Sequence, residues 1–241
     1  MSGHSKWSTI KRAKAANDAK RSALFTKLAN LITVAAREKG PDPETNFALR
    51  MAIDKARAAN MPKDNIERAI KRATGEGGSG QAIEELYYEG FGPAQTQFIV
   101  KCLSDNKNRT AANIRHLFSK YGGSLGAVKW NFEQKGVIRI SQENIKNVSD
   151  WEELELELID VGVDDILREE EGVSILTAPT DLQRVNNFLE TKKIATESAE
   201  IEYVAKDKAN LTEADKEKVE KFIEELEDNP DVSDYYTNAD L

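Results

Sequence analysis

Apolar residues recur at helical spacing through the first third of the chain. One series begins near Ser22 and ends at Gly40-Pro41; its members are Leu24, Leu28, Leu31, Ile32 and Ala35. A second series runs from Asn46 to Asn60, and a third follows Pro62, which suits a first helical turn. An alanine-rich stretch from Ser8 to Arg21 begins with a serine suited to N-capping. We therefore predict a small bundle of four helical segments within residues 1–75.

Four glycines in seven residues mark the next stretch, TGEGGSG from Thr74 to Gly80, as a linker or hinge. A phosphate-binding loop is the alternative. That loop would end in Lys-Ser or Lys-Thr and lie between a strand and a helix, and this stretch does neither. We favour the linker.

Short apolar and alternating stretches follow and predict mixed helices and strands. Strands at 85–89 and 97–103 join through Gly90-Phe91-Gly92-Pro93, a helix runs from Thr110 to Tyr121, and Val128 to Phe132 alternates like a half-buried strand. The later predicted elements are strand 137–140, helix 151–161, strands 165–169 and 173–176, helix 182–191, strand 197–204, a helix 213–227 capped by Thr212, and strand 232–236.

The order of these elements predicts an insertion. Residues 81–133 lack a closing helix and strand, which residues 205–241 supply. The elements between them follow the β-α-β-β-α-β order of a ferredoxin-like domain. We predict an α+β multidomain fold, an N-terminal helical bundle followed by two α/β lobes. Its domains would be 1–75, basic and helical; 81–133 plus 205–241, an α/β middle domain; and 134–204, a ferredoxin-like inserted domain.

Charge separates the helical segment from the rest. The formal charge is −8 over 241 residues, but residues 1–75 carry +9 and residues 76–241 carry −17. The cations are densest between Ser2 and Arg21, where only Asp18 opposes Lys6, Lys11, Arg12, Lys14, Lys20 and Arg21. The alternative interpretation of this segment is a solvent-exposed helix in which Asp18 forms ion pairs with neighbouring cations. Because most of the positive charge stays unpaired, we favour a surface for polyanions, and we predict that 1–75 binds nucleic acid.

Catalysis and metal binding find little support in the residues. Cys102 is the sole cysteine and lies in a predicted strand, where a free thiol usually behaves as a small buried apolar group. His4 and His116 have no partners at metal-ligand spacing, and a structural role is favoured for His116. No apolar run approaches the roughly 18 residues of a membrane span. We expect a cytoplasmic protein that is not an enzyme, binds no metal or other cofactor, and has no membrane partner.

Several long motifs resemble the YebC/PmpR family across essentially the whole chain. They are GHSKW at 3–7, FTKLANLI from Phe25, NMPKDNIERAIKRATGEG at 60–77, YEGFGP at 88–93, DNKNRT at 105–110, IRHLFSKYGGSLG at 114–126 and YYTNA near the end. The stretch AVKW at 127–130 departs from many relatives. The resemblance implies a helical N-terminal domain followed by two α/β domains. It also implies a probable transcriptional regulator that binds DNA, although some relatives are linked to ribosomes and translation.

Two of these motifs allow a structural and a binding interpretation. Asp105, Asn106 and Asn108 suit a turn that caps the next helix, while Arg109 and Arg115 could reach a phosphate from that helix. These alternatives stay open. In YEGFGP, Tyr88 and Phe91 could pack or stack on bases, and packing is favoured.

These observations predict a cytoplasmic DNA-binding transcriptional regulator that contacts the phosphate backbone through its basic helical domain. The alternative is a translation factor that binds ribosomal RNA and acts near the tRNA sites. The acidic lobes are candidates for binding protein partners. No clear set of residues for reading base edges is evident, so strong sequence specificity is not predicted. The candidate nucleic-acid contacts are Lys6, Lys11, Arg12, Lys14, Lys20, Arg21, Lys27, Arg109 and Arg115.

Overall fold

The computed structural model of the chain describes residue 7 and residues 18–75, 82–146, 148 and 150–241. The chain divides into two compact units, Met1–Phe132 with Ala205–Leu241, and Glu133–Val204. The finer division into three domains stays a prediction.

Three helices form the described part of the bundle: α1 (Asp18–Lys39), α2 (Phe47–Ala58) and α3 (Lys63–Ala73). Their buried faces meet in one core built from Leu28, Ile32, Ala35, Leu49, Ala52, Ile53, Ala56, Ile66 and Ala69. The helix boundary expected between Arg21 and Ser22 is wrong. No glycine or proline interrupts that stretch, so α1 runs through it and ends where Gly40 adopts a φ of +96°. The helix predicted from Ser8 lies outside the described residues as far as Asn17, and so does most of the glycine-rich linker.

Asn46 joins the end of α1 to the start of α2. Its side-chain oxygen accepts a hydrogen bond from the Leu49 amide, which caps α2. Its amide nitrogen donates to the carbonyls of Ala35 and Gly40, both at 2.8 Å. The side chain is fully buried, so no water can replace these bonds.

The remaining elements alternate strands and helices. In chain order they are β1 (Glu84–Phe91), β2 (Gln97–Ser104), α4 (Lys107–Lys120), β3 (Ser124–Leu125), β4 (Phe132–Ser141), α5 (Gln142–Ile145), α6 (Trp151–Asp160), β5 (Val163–Arg168), β6 (Gly172–Thr177), α7 (Leu182–Thr191), β7 (Ser198–Ala205), α8 (Glu213–Asp228) and β8 (Val232–Thr237). Short 3-10 turns occur at Pro93–Gln95 and Lys129–Asn131. No helix among the described ranges is long and apolar enough to cross a membrane.

One sheet has the strand order β3-β1-β2-β8, so the last strand of the chain closes it beside β2. Phe98, Phe118 and Phe222 meet in its core, and both Phe98 and Phe118 pack edge-on to Phe222 with centroids 5.0 Å apart. Gly90 allows this packing, because a Cβ there would come within 2.5 Å of the Phe118 ring. Tyr88 packs against the same core, as the structural interpretation of YEGFGP predicts.

Two predicted elements of this sheet region are wrong in detail. Val128–Phe132 is not a strand, because Lys129–Asn131 form a 3-10 turn and β4 starts only at Phe132. The amides of Val128 and Lys129 donate to the Glu89 carboxylate rather than to a strand. Helix α4 begins at Lys107 instead of Thr110, because Asn106 caps it by accepting from the Arg109 amide.

The Glu133–Val204 unit has the sheet order β5-β6-β4-β7, which is the ferredoxin-like arrangement predicted for it. Its core contains five fully buried apolar side chains: Ile138, Leu158, Ile175, Val185 and Leu189.

The unit also buries an ion pair that the sequence pattern does not reveal. Arg139 on β4 bonds Glu202 on β7 in a bidentate manner, with Nη2 donating to Oε2 at 2.9 Å.

Asn46→Ala should destabilise the protein by about 2–4 kcal/mol, because it removes a helix cap and the two hydrogen bonds that the buried side chain donates to the carbonyls of Ala35 and Gly40. Asn106→Ala is the matched control. Its side chain also caps a helix but is exposed, so the expected loss is about 1 kcal/mol. Urea unfolding of both variants measures the difference, and equal losses would contradict the role given to the buried Asn46.

Candidate nucleic-acid interface

The structure describes only part of the predicted cationic surface. Lys6, Lys11, Arg12 and Lys14 lie outside the described residues, and Lys20 lies in α1 without a described side chain. Arg21 is exposed near the start of α1. These six residues stay predicted contacts.

Lys27 lies on the same helix but is half-buried. Its ammonium group donates to the Glu227 carbonyl in the last turn of α8, where the helix dipole favours a cation. Burial nevertheless lowers the pKa of Lys27 to about 8, although Glu227 and Asp228 oppose this effect. Helix α1 also contacts β2 and β8, so Lys27 helps to fasten the bundle to the sheet. Its assignment as a nucleic-acid contact stays a prediction.

Arg109 takes part in a polar network at the start of α4. Its Nη2 donates to Asp105 at 3.0 Å and to Asp231 at 3.2 Å, and hydrogen bonds to Asp231 and Asp105 raise its pKa. The Thr110 hydroxyl donates to Asp231 at 2.8 Å and lies 2.7 Å from the Ser104 hydroxyl. The DNKNRT motif therefore caps α4 and ties it to the turn before β8. A phosphate at Arg109 would have to compete with two carboxylates.

Arg115 differs from Arg109, because it is exposed on α4 and makes no ion pair within the described ranges. It is a cation that a phosphate could approach without displacing an acid. Both arginines stay predicted contacts.

The outer face of α3 carries a group of cations that the candidate set above omits. Lys63 pairs with Glu67 at 3.5 Å, and Arg68 bonds Asn65 and the Asp64 carbonyl. The side chains of Lys71 and Arg72 are exposed and bond no other group in the part of the chain that the structure describes. They fall at positions of the helical repeat other than the buried Ile66 and Ala69, and that spacing is the sequence signal by which they could have been found.

Reactive groups of the kind an enzyme uses are poorly placed. Cys102 is fully buried, and burial raises the pKa of its thiol to about 12. His116 is exposed on α4. Among the described residues, no group of three or more histidine, cysteine, aspartate and glutamate side chains could hold a metal ion.

Comparison with known proteins assigns the chain to a family. Residues 5–76 match the TACO1/YebC protein N-terminal domain, and residues 83–239 match the TACO1/YebC second and third domain. The chain belongs to the TACO1/YebC family.

Members of the TACO1/YebC family resemble this chain over its whole length. Relatives from Thermotoga maritima and Thermosipho melanesiensis are 49% and 48% identical over all of this chain and 94% of their own. Both are named probable transcriptional regulatory protein. The crystal structure of a conserved hypothetical protein from Aquifex aeolicus is similar, with a TM-score of 0.83 at 40% identity, over 94% of this chain and 93% of that one.

Lys27→Met should change how stability depends on pH. Between about pH 8 and about pH 10.5 the unfolded chain holds a proton at Lys27 that the folded chain has lost. The wild type should therefore gain stability relative to Lys27→Met as the pH rises through that window. Below that pH window, Lys27 is charged in both states, and the full free-energy cost of burying its charge lowers the stability of the wild type.

Urea unfolding of both proteins at about pH 7 and about pH 10 tests this expectation. Lys63→Met, at a lysine whose side chain is 88% exposed, is the control and should show no such relative gain. A constant difference in stability between the wild type and Lys27→Met would contradict the lowered pKa of the partly buried ammonium group.

Proposed function

We propose that the chain is a cytoplasmic nucleic-acid-binding regulatory protein whose helical domain, residues 1–75, contacts the phosphate backbone. The concentration of positive charge carries the proposal: this segment holds +9 in a chain whose net charge is −8. Lys71 and Arg72 support it within the described ranges, because their charges are exposed and unpaired. The names of the relatives, probable transcriptional regulatory protein, support the regulatory role.

The acidic remainder would favour binding of nucleic acid through the helical domain rather than through the rest of the chain. Residues 76–241 carry a net −17, so their summed field repels a polyanion while the helical domain attracts it, and any contact outside that domain must be local. Repulsion of this kind also limits nonspecific contact along nucleic acid. Phosphate contacts supply affinity and no sequence information, so this surface alone predicts binding with little sequence preference.

A double variant of α3, Lys71→Ala with Arg72→Ala, should weaken binding to duplex DNA and reduce its salt dependence. Each phosphate that the variant no longer neutralises lowers the slope of log affinity against log salt by up to about 0.9. The control is Lys146→Ala with Lys221→Ala, two exposed lysines outside the helical domain. Fluorescence anisotropy over a salt series measures the affinity of both variants and of the wild type. If the α3 variant had the same slope of log affinity against log salt as the wild type, α3 would not be part of the interface.

A triple variant, Lys11→Ala, Lys14→Ala and Arg21→Ala, tests the N-terminal segment by the same measurement. If these cations meet phosphates, the slope should fall by up to about 0.9 for each phosphate that is no longer neutralised. An unchanged slope would exclude them. Measured beside the α3 variant, it shows which part of the helical domain lies on the backbone.

The identity of the nucleic acid can be tested in living cells by crosslinking, purification of the protein, and sequencing of the attached DNA and RNA. Discrete promoter fragments that survive ribonuclease treatment would support a regulator of transcription. Dominant crosslinks to one region of ribosomal RNA would instead make the chain a regulator of translation. Crosslinks to neither would contradict the proposal.

A further inference from the structure

Trp130 is a large apolar side chain on the protein surface. It is 64% exposed, whereas Trp7 is buried and Trp151 is half-buried. Tryptophan is among the side chains that gain most from burial, so a solvent-facing indole calls for a physical reason.

The turn that carries Trp130 is held rigidly on its N-terminal side. The Glu89 carboxylate accepts hydrogen bonds from the amides of Val128 at 2.9 Å and Lys129 at 2.8 Å. The Asn131 amide then donates to the Val128 carbonyl at 3.0 Å and closes the turn. The indole therefore projects from fixed backbone.

On its C-terminal side the turn is anchored by Asn131, which is buried. Its side chain donates to Gln97 at 2.6 Å and to the Asp207 carbonyl at 3.0 Å, and it accepts from the Asp207 amide at 3.0 Å. Because the residues on both sides of Trp130 are fixed, little conformational entropy is lost when a ligand meets the ring.

The polar edge of the indole is already occupied. Trp130 Nε1 donates to the Ala127 carbonyl at 3.2 Å, which holds the ring against its own turn. What the side chain offers to a ligand is therefore its apolar face. A planar group that stacks suits such a face better than a hydrogen-bonding partner does.

Positive charge at the turn favours a nucleobase over an apolar protein surface as the ligand of the ring. Lys129 and Lys206 are both exposed, and Lys206 Nζ lies 3.5 Å from the Trp130 carbonyl oxygen. An exposed aromatic ring on a turn that also carries exposed lysines is the kind of arrangement by which single strands are bound, because bases stack on the ring and cations contact the phosphates.

We propose that Trp130 is a stacking platform for an unpaired nucleobase, with Lys129 and Lys206 beside it for the flanking phosphates. This inference rests on the proposed function, because it takes nucleic acid as the ligand. It adds a contact outside residues 1–75 and a preference for unpaired strands, neither of which follows from the basic helical domain.

Binding of the full chain to labelled single-stranded oligothymidine, oligouridine and a matched duplex tests the proposal. Trp130→Ala should weaken binding to one or both single strands by roughly 5- to 150-fold, as expected for the loss of one base stack, and leave duplex binding unchanged. The slope of affinity against salt should not change, because stacking releases no counterions. Trp130→Phe should restore most of the affinity. The preferred oligonucleotide distinguishes DNA from RNA.

Leu156→Ala removes another exposed apolar side chain and is the control, which should bind like the wild type. Unfolding curves for each variant establish that the fold is kept. Equal affinity of the wild type and Trp130→Ala for the single strands would overturn the stacking proposal while leaving the proposed function intact. If the wild type bound none of the three probes, the proposed function would fail and the stacking proposal with it.

Discussion

The closure of an interrupted domain around Asn131 is the constraint on which the larger compact unit depends. The chain leaves this unit at Phe132 and returns at Ala205 to supply α8 and β8, and the two crossing points are held together by hydrogen bonds. Asn131 does this, because its side chain bonds the Asp207 backbone and its carbonyl accepts from the Lys206 amide at 2.8 Å. Asn238 completes the network by accepting from the Gln97 amide at 2.8 Å. A buried amide network of this kind is stabilising because each member is satisfied.

Electrostatics acts at two scales in this chain. Over the whole sequence a basic helical segment is separated from an acidic remainder, and the proposed long-range attraction of nucleic acid to the helical domain would depend on that separation. Locally, Lys27 and Arg109 are both held by groups near the end of α8, Lys27 by the Glu227 carbonyl and Arg109 by Asp231. A cation can therefore belong to the basic segment by sequence and still serve the fold.

The sequence predicts most of the fold because helical spacing, alternation and capping residues each act locally. The ferredoxin-like order follows from such signals, and so do the helices after Pro62 and Thr212. The turn at Lys129–Asn131 could not be predicted, because Glu89 and Gln97, far away in sequence, decide it. The partners of Arg109 are equally nonlocal, since Asp231 lies 122 residues away. The candidate interface is predicted less well than the fold. The sequence identifies which residues are cationic, but it does not show which of them form ion pairs with carboxylates.

The burial of Cys102 gives the protein a property useful for labelling. The chain has a single thiol, it lies inside the sheet core, and its raised pKa keeps it protonated in neutral solution. Maleimides and other thiol-directed probes therefore find almost no reactive sulfur in the native protein. A cysteine introduced on the surface would be the one site that accepts a dye or spin label, with no need to remove the natural one.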